Sequence, residues 1–302
     1  MSQDEADVAV LASGVRADEK RLFAALDRHG ASYQRVDTRE LWDTADGKLG
    51  LRTRGVPAAG WPRPWRGVLN REIGQVRAVC AARMLESLGV PVLNSAAAIQ
   101  TCGDKWQTSL ALAAAGLPTP RTALGLTPAA ALTALEEDIG YPALVKPLIG
   151  SWGRLIVELR DRRMAEEVFE YVSALPGPQS HLVYVQELID KPGRDIRAIV
   201  IGGELLGATY RVAAGTRTNV ARGAVSQPCP ETADITKLAV AAAAATGADI
   251  AAVDLIEDGE GQILVLEVNH RPEFSGFQAA MGDRIDVADR ITGYFLARAA
   301  QW

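Results

Sequence analysis

IAAVDLIEDGEGQILVLEVNH, residues Ile250–His270, is two apolar runs that fold back on each other around an Asp258–Gly261 turn. As an antiparallel pair they set Asp254 beside Glu267 and Asn269. Glu267 and Asn269 are two apart, so an extended backbone points both to one face. Hard divalent cations take such oxygen sets, whereas a closed zinc site calls for His or Cys. A solvated strand face would also alternate. Against it, Ile263 and Val265 share the period of Glu267 and are expected on its face, and Asp254 closes the apolar run ADIAAVD, where burial works against charge. Metal binding and a plain surface role both remain open from spacing alone. Far upstream lie Lys105, Lys146 and a group of arginines, the charge that phosphates require, and the combination points to a nucleotide-dependent enzyme.

Outward from this hairpin, the 302 residues suffice for two or three subdomains. A net charge of -5 argues against broad binding to nucleic acid or to an acidic membrane, without excluding a local basic pocket. The 3 cysteines, Cys80, Cys102 and Cys229, form no CxxC pair and no disulfide framework. Cys102 has no base beside it and reads as a buried thiol rather than a nucleophile. The acidic start MSQDEADVAVLAS lacks the basic region of a signal peptide, and the Ala-rich runs are too short and polar to span a bilayer. A cytoplasmic enzyme is the expectation.

The first 95 residues read as a small α/β unit: strands at Val8–Leu11, Tyr33–Val36, Gly67–Leu69 and Val90–Val92, with helices over Asp18–Arg28 and Gly74–Leu88. No GxGxxG joins its first strand to its first helix, which disfavours a dinucleotide fold. DGKLGLRTRGVPAAGWPRPWRG (46–67) reads as a long irregular loop. Beyond it, helical sequence runs from Ala96 to about Ala115 and ends at GLPTP. Further helices are expected at Thr127–Glu137, Arg163–Val172, Ile235–Ala245 and Asp286–Arg298. Strands are expected at Ala143–Lys146, Arg154–Glu158, Val183–Glu187, Asp195–Ile201 and Leu205–Arg211, the last two forming a hairpin about Gly202–Gly203. The fold class is thus α/β plus α+β.

KPLIGSWGRLI (146–156) puts Lys146 before a turn with Gly150, Ser151, Trp152, Gly153 and Arg154. Glycines let backbone approach phosphate oxygens and Ser151 adds a neutral donor, though the same residues could close a hairpin. The stretch does not match GxxxxGK[ST]. Lys105 in TCGDKWQTSLAL falls at a helix start, where lysine and helix terminus both favour phosphate, or is merely exposed after Asp104. Thr108, one turn on, reads as a helix-face residue. Arg194 and Arg197 around Asp195, with Arg211, Arg217 and Arg222, suit anions through their guanidinium forks, while surface ion pairs are the alternative. In YVQELI, Val185 and Leu188 can contact an adenine face, and the backbone of Gln186, Glu187, Leu188 and Ile189 its edge. Core packing explains that segment equally well.

Taken in order, VLNSAAAIQTCGDKWQTSLALAAAGLPTPRTA, YPALVKPLIGSWGRL, YVQELIDKPGRDIRAIVIGG, TRTNVARG and AAVDLIE with VLEVNHRPEF resemble the ATP-grasp ligases, in particular their RimK-like carboxylate–amine branch. CGDKW, SWGR, DKPGRDIR and EVNH are most similar to the ligases of lysine biosynthesis that load a small acidic amino-group carrier protein. The resemblance implies an ATP-grasp fold of three parts: a preATP-grasp domain over 1–95, a central subdomain over 96–185 and a C-terminal subdomain over 186–302. It implies ATP with Mg²⁺ or Mn²⁺, Lys105 and Lys146 on phosphates, Gly150–Arg154 as the covering loop, and Gln186–Ile189 as the adenine hinge. Asp195 falls on the nucleotide side. Asp254, Glu267 and Asn269 match the metal pattern. Arg197, Arg211, Asn219 and Arg222 fall in the substrate pocket, with Lys146, Arg211 and Arg222 nearest the chemistry.

The implied reaction joins the amino group of 2-aminoadipate to the C-terminal glutamate of the carrier through an acyl phosphate, and a homo-oligomer is expected. The chain departs from the pattern at Val220 and Ala224, near the amino-acid pocket, and at Gly74. Arg271 after EVNH adds an anion contact or lies on the surface. A related ligase that adds glutamate to a carrier, protein terminus or peptide is the runner-up. A silent nucleotide-binding interaction module is the reading from another class.

Overall fold

The computed structural model describes residues 7–45, 49–51, 65–150, 155–177, 181–212 and 225–302. Its strands are β1 (Val8–Leu11), β2 (Tyr33–Val36), β3 (Leu41–Asp43), β4 (Leu49–Leu51), β5 (Gly67–Asn70), β6 (Val92–Leu93), β7 (Thr122–Gly125), β8 (Ala143–Lys146), β9 (Val157–Leu159), β10 (Val183–Glu187), β11 (Arg194–Ile201), β12 (Glu204–Val212), β13 (Val225–Pro228), β14 (Ile250–Glu257) and β15 (Ile263–Asn269). The helices are α1 (Ala17–Arg28), α2 (Gln75–Ser87), α3 (Ala96–Gly103), α4 (Lys105–Ala114), α5 (Pro128–Ala134), α6 (Arg162–Ser173), α7 (Ala233–Ala245), α8 (Ser275–Met281) and α9 (Val287–Ala299).

The first sheet is parallel in the order β2-β1-β5-β6. All of β1 is buried, as a parallel strand covered on both faces must be. Val8 and Val10 pack with Leu22 and Leu26 of α1 and with Ile291 and Phe295 of α9, while Ala9 and Leu11 pack with Ala78, Ala82 and Leu85 of α2. The last helix of the chain thus closes on the first unit.

A second, antiparallel sheet runs β7-β10-β8-β9, and a third runs β13-β12-β11-β14-β15. On one face of the third, Ile196, Ala198, Val200, Val253 and Leu255 pack against Ile235, Ala239 and Ala242 of α7. On the other, Ile199, Ile201 and Ile250 join the core around α9, and the face then turns charged at Arg197, Asp195 and Asp254. That change marks the candidate site.

Several expectations shift. The strand placed at Val90–Val92 forms at Val92–Leu93, and the one placed at Arg154–Glu158 is observed at Val157–Leu159. The helix expected at Thr127–Glu137 is α-helical through Ala134 and then widens to a π turn over Leu135–Ile139. Part of the expected 46–67 loop, Leu49–Leu51, pairs with Leu41–Asp43. Strands β7 and β13 and helix α8 went unforeseen. The one correction that bears on chemistry is in β15. Asp254 pairs with Glu267 but Leu255 with Val265, so Leu266 is an extra residue. This bulge reverses the alternation: Val265 joins Val268 in the core, and the expected sharing of a face by Val265 and Glu267 does not occur.

Candidate active site

Cross-strand neighbours Thr209, Arg197, Asp254 and Glu267 form one row across the third sheet, and directly opposed residues share a face. Asn269, two beyond Glu267, completes the oxygen set. Asp254 is buried and not empty-handed: Arg197 Nε and Nη2 each donate to it at 2.9 Å, and Arg211 Nη2 lies 3.1 Å away. Burial would raise its pKa, but the two guanidinium groups outweigh that and hold it below the ordinary carboxylate range. Arg211 also donates to Asp195 at 2.5 Å. Burial opposes its charge, yet Asp254 and Asp195 keep it more firmly protonated than usual. Of the arginines expected to seek anions, Arg197 and Arg211 are thus already paired with carboxylates, the ion-pair alternative, while Arg217 and Arg222 lie outside the described residues.

Lys146 ends β8 on the second sheet and is buried. Its Nζ donates to Gln186 Oε1 at 2.5 Å, and Gln186 Nε2 donates to Thr122 Oγ1 at 3.0 Å and Tyr184 Oη at 3.1 Å. Burial lowers the Lys146 pKa to about 8, with Glu267 pulling it up and Lys105 and Lys191 pushing it down. The second sheet's lysine and the third sheet's carboxylate are thus within electrostatic reach of each other. Lys105 opens α4, whose N-cap Asp104 accepts from Trp106 and Gln107, and its Nζ donates to the Gly150 carbonyl at 2.9 Å. Thr108 is buried and donates to the Thr101 carbonyl at 2.8 Å, a helix-face role as expected.

The hinge differs from expectation in detail. Gln186 turns its side chain to Lys146, and Glu187 accepts from Arg121 Nε at 2.8 Å and Arg121 N at 2.7 Å. The Glu187 and Leu188 amides donate to the Arg121 and Pro142 carbonyls. Ser151, Trp152, Gly153, Arg154, Arg217, Asn219, Val220, Arg222, Gly223 and Ala224 lie outside the described residues. Lys191, missed in the sequence, has its side chain 15% exposed and 3.8 Å from Asp195. A lysine four before an acid in DKPGRD was the available signal.

Among the described residues no three or more His, Cys, Asp or Glu are grouped to hold a metal ion. Asp254, Glu267 and Asn269 offer two carboxylates and an amide, a hard-oxygen set that a nucleotide's own phosphates can complete. Arg197 takes both Asp254 oxygens, so that carboxylate keeps little beyond an Oδ1 lone pair for a cation. Asn269 Nδ2 is a buried donor with no partner and calls for an acceptor such as a phosphate oxygen, while its Oδ1 is the atom a cation would take. The residues fit a nucleotide-borne divalent ion, with Glu267 as the principal ligand.

A lysine titrating near 8 gives a sharp expectation. If Lys146 meets phosphate, nucleotide affinity should be level below about pH 7.5 and weaken as pH rises through 8, because the ammonium is lost. Fold stability should move the other way. The folded value lies below the unfolded one, so between pH 8 and 10.5 the unfolded chain binds more protons and stability rises with pH. Calorimetric nucleotide titrations and urea melts over pH 6.5–10.5 check both; parallel trends would refute the assignment.

Two antiparallel sheets, with a buried lysine on one in electrostatic reach of an acid row on the other, are the arrangement of an ATP-grasp enzyme. The RimK-like ATP-grasp domain profile matches residues 102–295 and the LysX preATP-grasp domain profile residues 8–101. The chain belongs to the RimK-like ATP-grasp ligases. It is 31% identical over 296 residues to the glutamate--LysW ligase ArgX of Sulfolobus acidocaldarius, covering 95% of this chain and 97% of that one. It is 30% identical over 236 residues to the alpha-aminoadipate--LysW ligase LysX of Saccharolobus solfataricus, covering 78% and 83%. The crystal structure of a RimK domain ATP-grasp protein from Sphaerobacter thermophilus superposes with a TM-score of 0.76 at 26% identity, over 96% of this chain and 100% of that one. The ATP-grasp ligase PsnB, at 19% identity and TM-score 0.72 over 97% and 100%, speaks for the fold alone. No helix among the described residues is long and apolar enough to cross a membrane.

Proposed function

We propose that the chain is an ATP-dependent ligase that joins the amino group of an acidic amino acid, 2-aminoadipate or glutamate, to the C-terminal carboxylate of a small carrier protein. The observation that carries this reading is a buried lysine on one sheet, Lys146, within electrostatic reach of Glu267 in the acid row of another. Near-complete overlap with a carrier-protein ligase supports the choice of acceptor. Aminoadipate was the lead from the sequence motifs. The relatives' names divide between the two amino acids, so both stand in the proposal.

The carrier carboxylate attacks the γ-phosphorus of ATP, and the bond to the β-γ bridging oxygen breaks to release ADP. The amine then attacks the acyl carbon, loses a proton and expels phosphate. A divalent ion held by Glu267, Asn269 and an Asp254 oxygen supplies charge neutralisation on the phosphates. Lys146 and Lys105 hold phosphate oxygens in place, and preorganised cations of this kind stabilise charge that grows in the transition state. Arg197 and Arg211, fixed by Asp254 and Asp195, orient the acyl phosphate and the substrate carboxylate, and the sequence resemblance assigns Asn219 and Arg222 to the same task. Domain borders near 95 and 185 accompany this reading.

The test is a mixture of ATP, Mg²⁺, an acidic carrier ending in glutamate and a panel of amino acids, read by intact-protein mass. A mass gain equal to one aminoadipyl or glutamyl residue, with ADP formed in step, is expected. Turnover of a free peptide in preference to every carrier would overturn the carrier assignment.

A further inference from the structure

The segment that leaves the acid row is gripped from the other end of the chain. Among the described residues β15 is an edge strand laddered to β14, and it carries a bulge at Leu266, three residues before its end at Asn269. The bulge interrupts its ladder beside Glu267, and a displacement of the strand's end would turn Glu267 and Asn269 away from the site. The strand itself is held by Val265 and Val268 in the core and by the Val265 amide on the Pro118 carbonyl, while the segment beyond Asn269 needs a hold of its own.

The restraint comes from the N-terminal unit. Asn94 Nδ2 donates to the His270 carbonyl at 2.7 Å and the Ile250 carbonyl at 2.8 Å, while its Oδ1 accepts from Asp249 and Ile250 amides, so it fixes the start of β14 and the end of β15 together. Arg71 donates to the Pro272 carbonyl at 3.1 Å and to Glu19 at 3.0 Å. Arg271 Nη1 donates to the same Glu19 oxygen at 3.3 Å. Asp18 accepts the Phe274 amide at 2.8 Å and the Ser275 hydroxyl. Asp18 and Glu19 open α1, and both are buried. Arg271, expected at the surface or on a substrate anion, is instead spent on Glu19 and Glu273.

Two buried carboxylates are costly unless matched, and a single surface cap would have served α1 as well. Asp18 meets Phe274 and Ser275, and Glu19, besides Arg71 and the Arg16 amide of its own capping box, meets Arg271, so both reach the residues that follow Asn269. We infer that Asp18 and Glu19 are positioning residues for the metal row: they hold the exit of β15 so that Glu267 and Asn269 face the nucleotide. This rests on the reading of Glu267 as a metal ligand.

The experiment measures Mn²⁺ affinity in the presence of ADP, by the paramagnetic resonance of free Mn²⁺, on the full chain and at a temperature where melts show each variant folded. Glu19→Gln and Asp18→Asn are expected to weaken Mn²⁺ about tenfold, the scale for losing a group that orients a ligand. In a Glu267→Gln background, Glu19→Gln should add nothing further. A purely structural role would lower the melting temperature and leave Mn²⁺ affinity intact. Wild-type affinity in both carboxylate variants alongside a loss in Glu267→Gln overturns the inference and spares the metal reading. Wild-type affinity in Glu267→Gln overturns both. Should the carboxylate variants not fold, Ser275→Ala removes only the hydroxyl donated to Asp18 and is expected to weaken Mn²⁺ several-fold; no change there also overturns the inference.

Discussion

Lys146→Met is expected to reduce ligation by about 10²- to 10³-fold while leaving the protein as stable as before, or more so. The activity loss follows from removing the buried cation that meets phosphate, at a position where the low-polarity surroundings amplify its field. The stability follows from the same burial. Bringing an ammonium from its ordinary value to about 8 corresponds to about 3 kcal/mol of penalty on the charged form. Methionine fills similar space without charge. Against this relief stands the loss of one hydrogen bond to Gln186, about 1 kcal/mol, with some further cost because Gln186 Oε1 stays buried. Ligation assays with urea melts on the same preparations separate the two effects. A variant that is both inactive and several kcal/mol less stable would mark Lys146 as a structural residue, and a variant that still ligates would remove it from the phosphate site.

How far the sequence disclosed this follows from the range of each force. Helix starts were legible because a side chain within three residues supplies the cap: Asp104, Thr127, Asp161, Thr232 and Asp286 each accept an amide of the first turn. The β11–β12 hairpin was legible from its alternation and from Gly202 and Gly203, both at positive φ. The bulge at Leu266 was not, since one extra residue leaves an apolar run that still alternates on paper. Glu187 could not be assigned to Arg121, 66 residues away, by any local pattern. Glu19, Arg71 and Arg271 were read separately or not at all, because their meeting depends on the last part of the chain returning to the first. The candidate ligands were therefore visible as residues, while what holds them was visible only in three dimensions.

Arg211→Met is expected to lower stability by about 3 kcal/mol and to abolish most ligation, and the two losses should come apart in a double variant. The Arg211 side chain is 4% exposed and lies between Asp195 at 2.5 Å and Asp254 at 3.1 Å. Asp254 keeps Arg197 when Arg211 is removed, so the greater imbalance falls on Asp195, whose Lys191 contact is longer at 3.8 Å. A buried carboxylate stripped of its guanidinium is relieved by protonation, so the deficit should shrink as pH falls. Asp195→Asn in the Arg211→Met background removes that charge and should recover much of the stability. It should not recover ligation, because the cation proposed to face the acyl phosphate is still missing. Denaturant melts across pH and single-turnover ligation on the single and double variants supply the comparison. Recovery of both quantities together would reduce Arg211 to a counter-ion for Asp195, and recovery of neither would place its main role with Asp254 and the metal row.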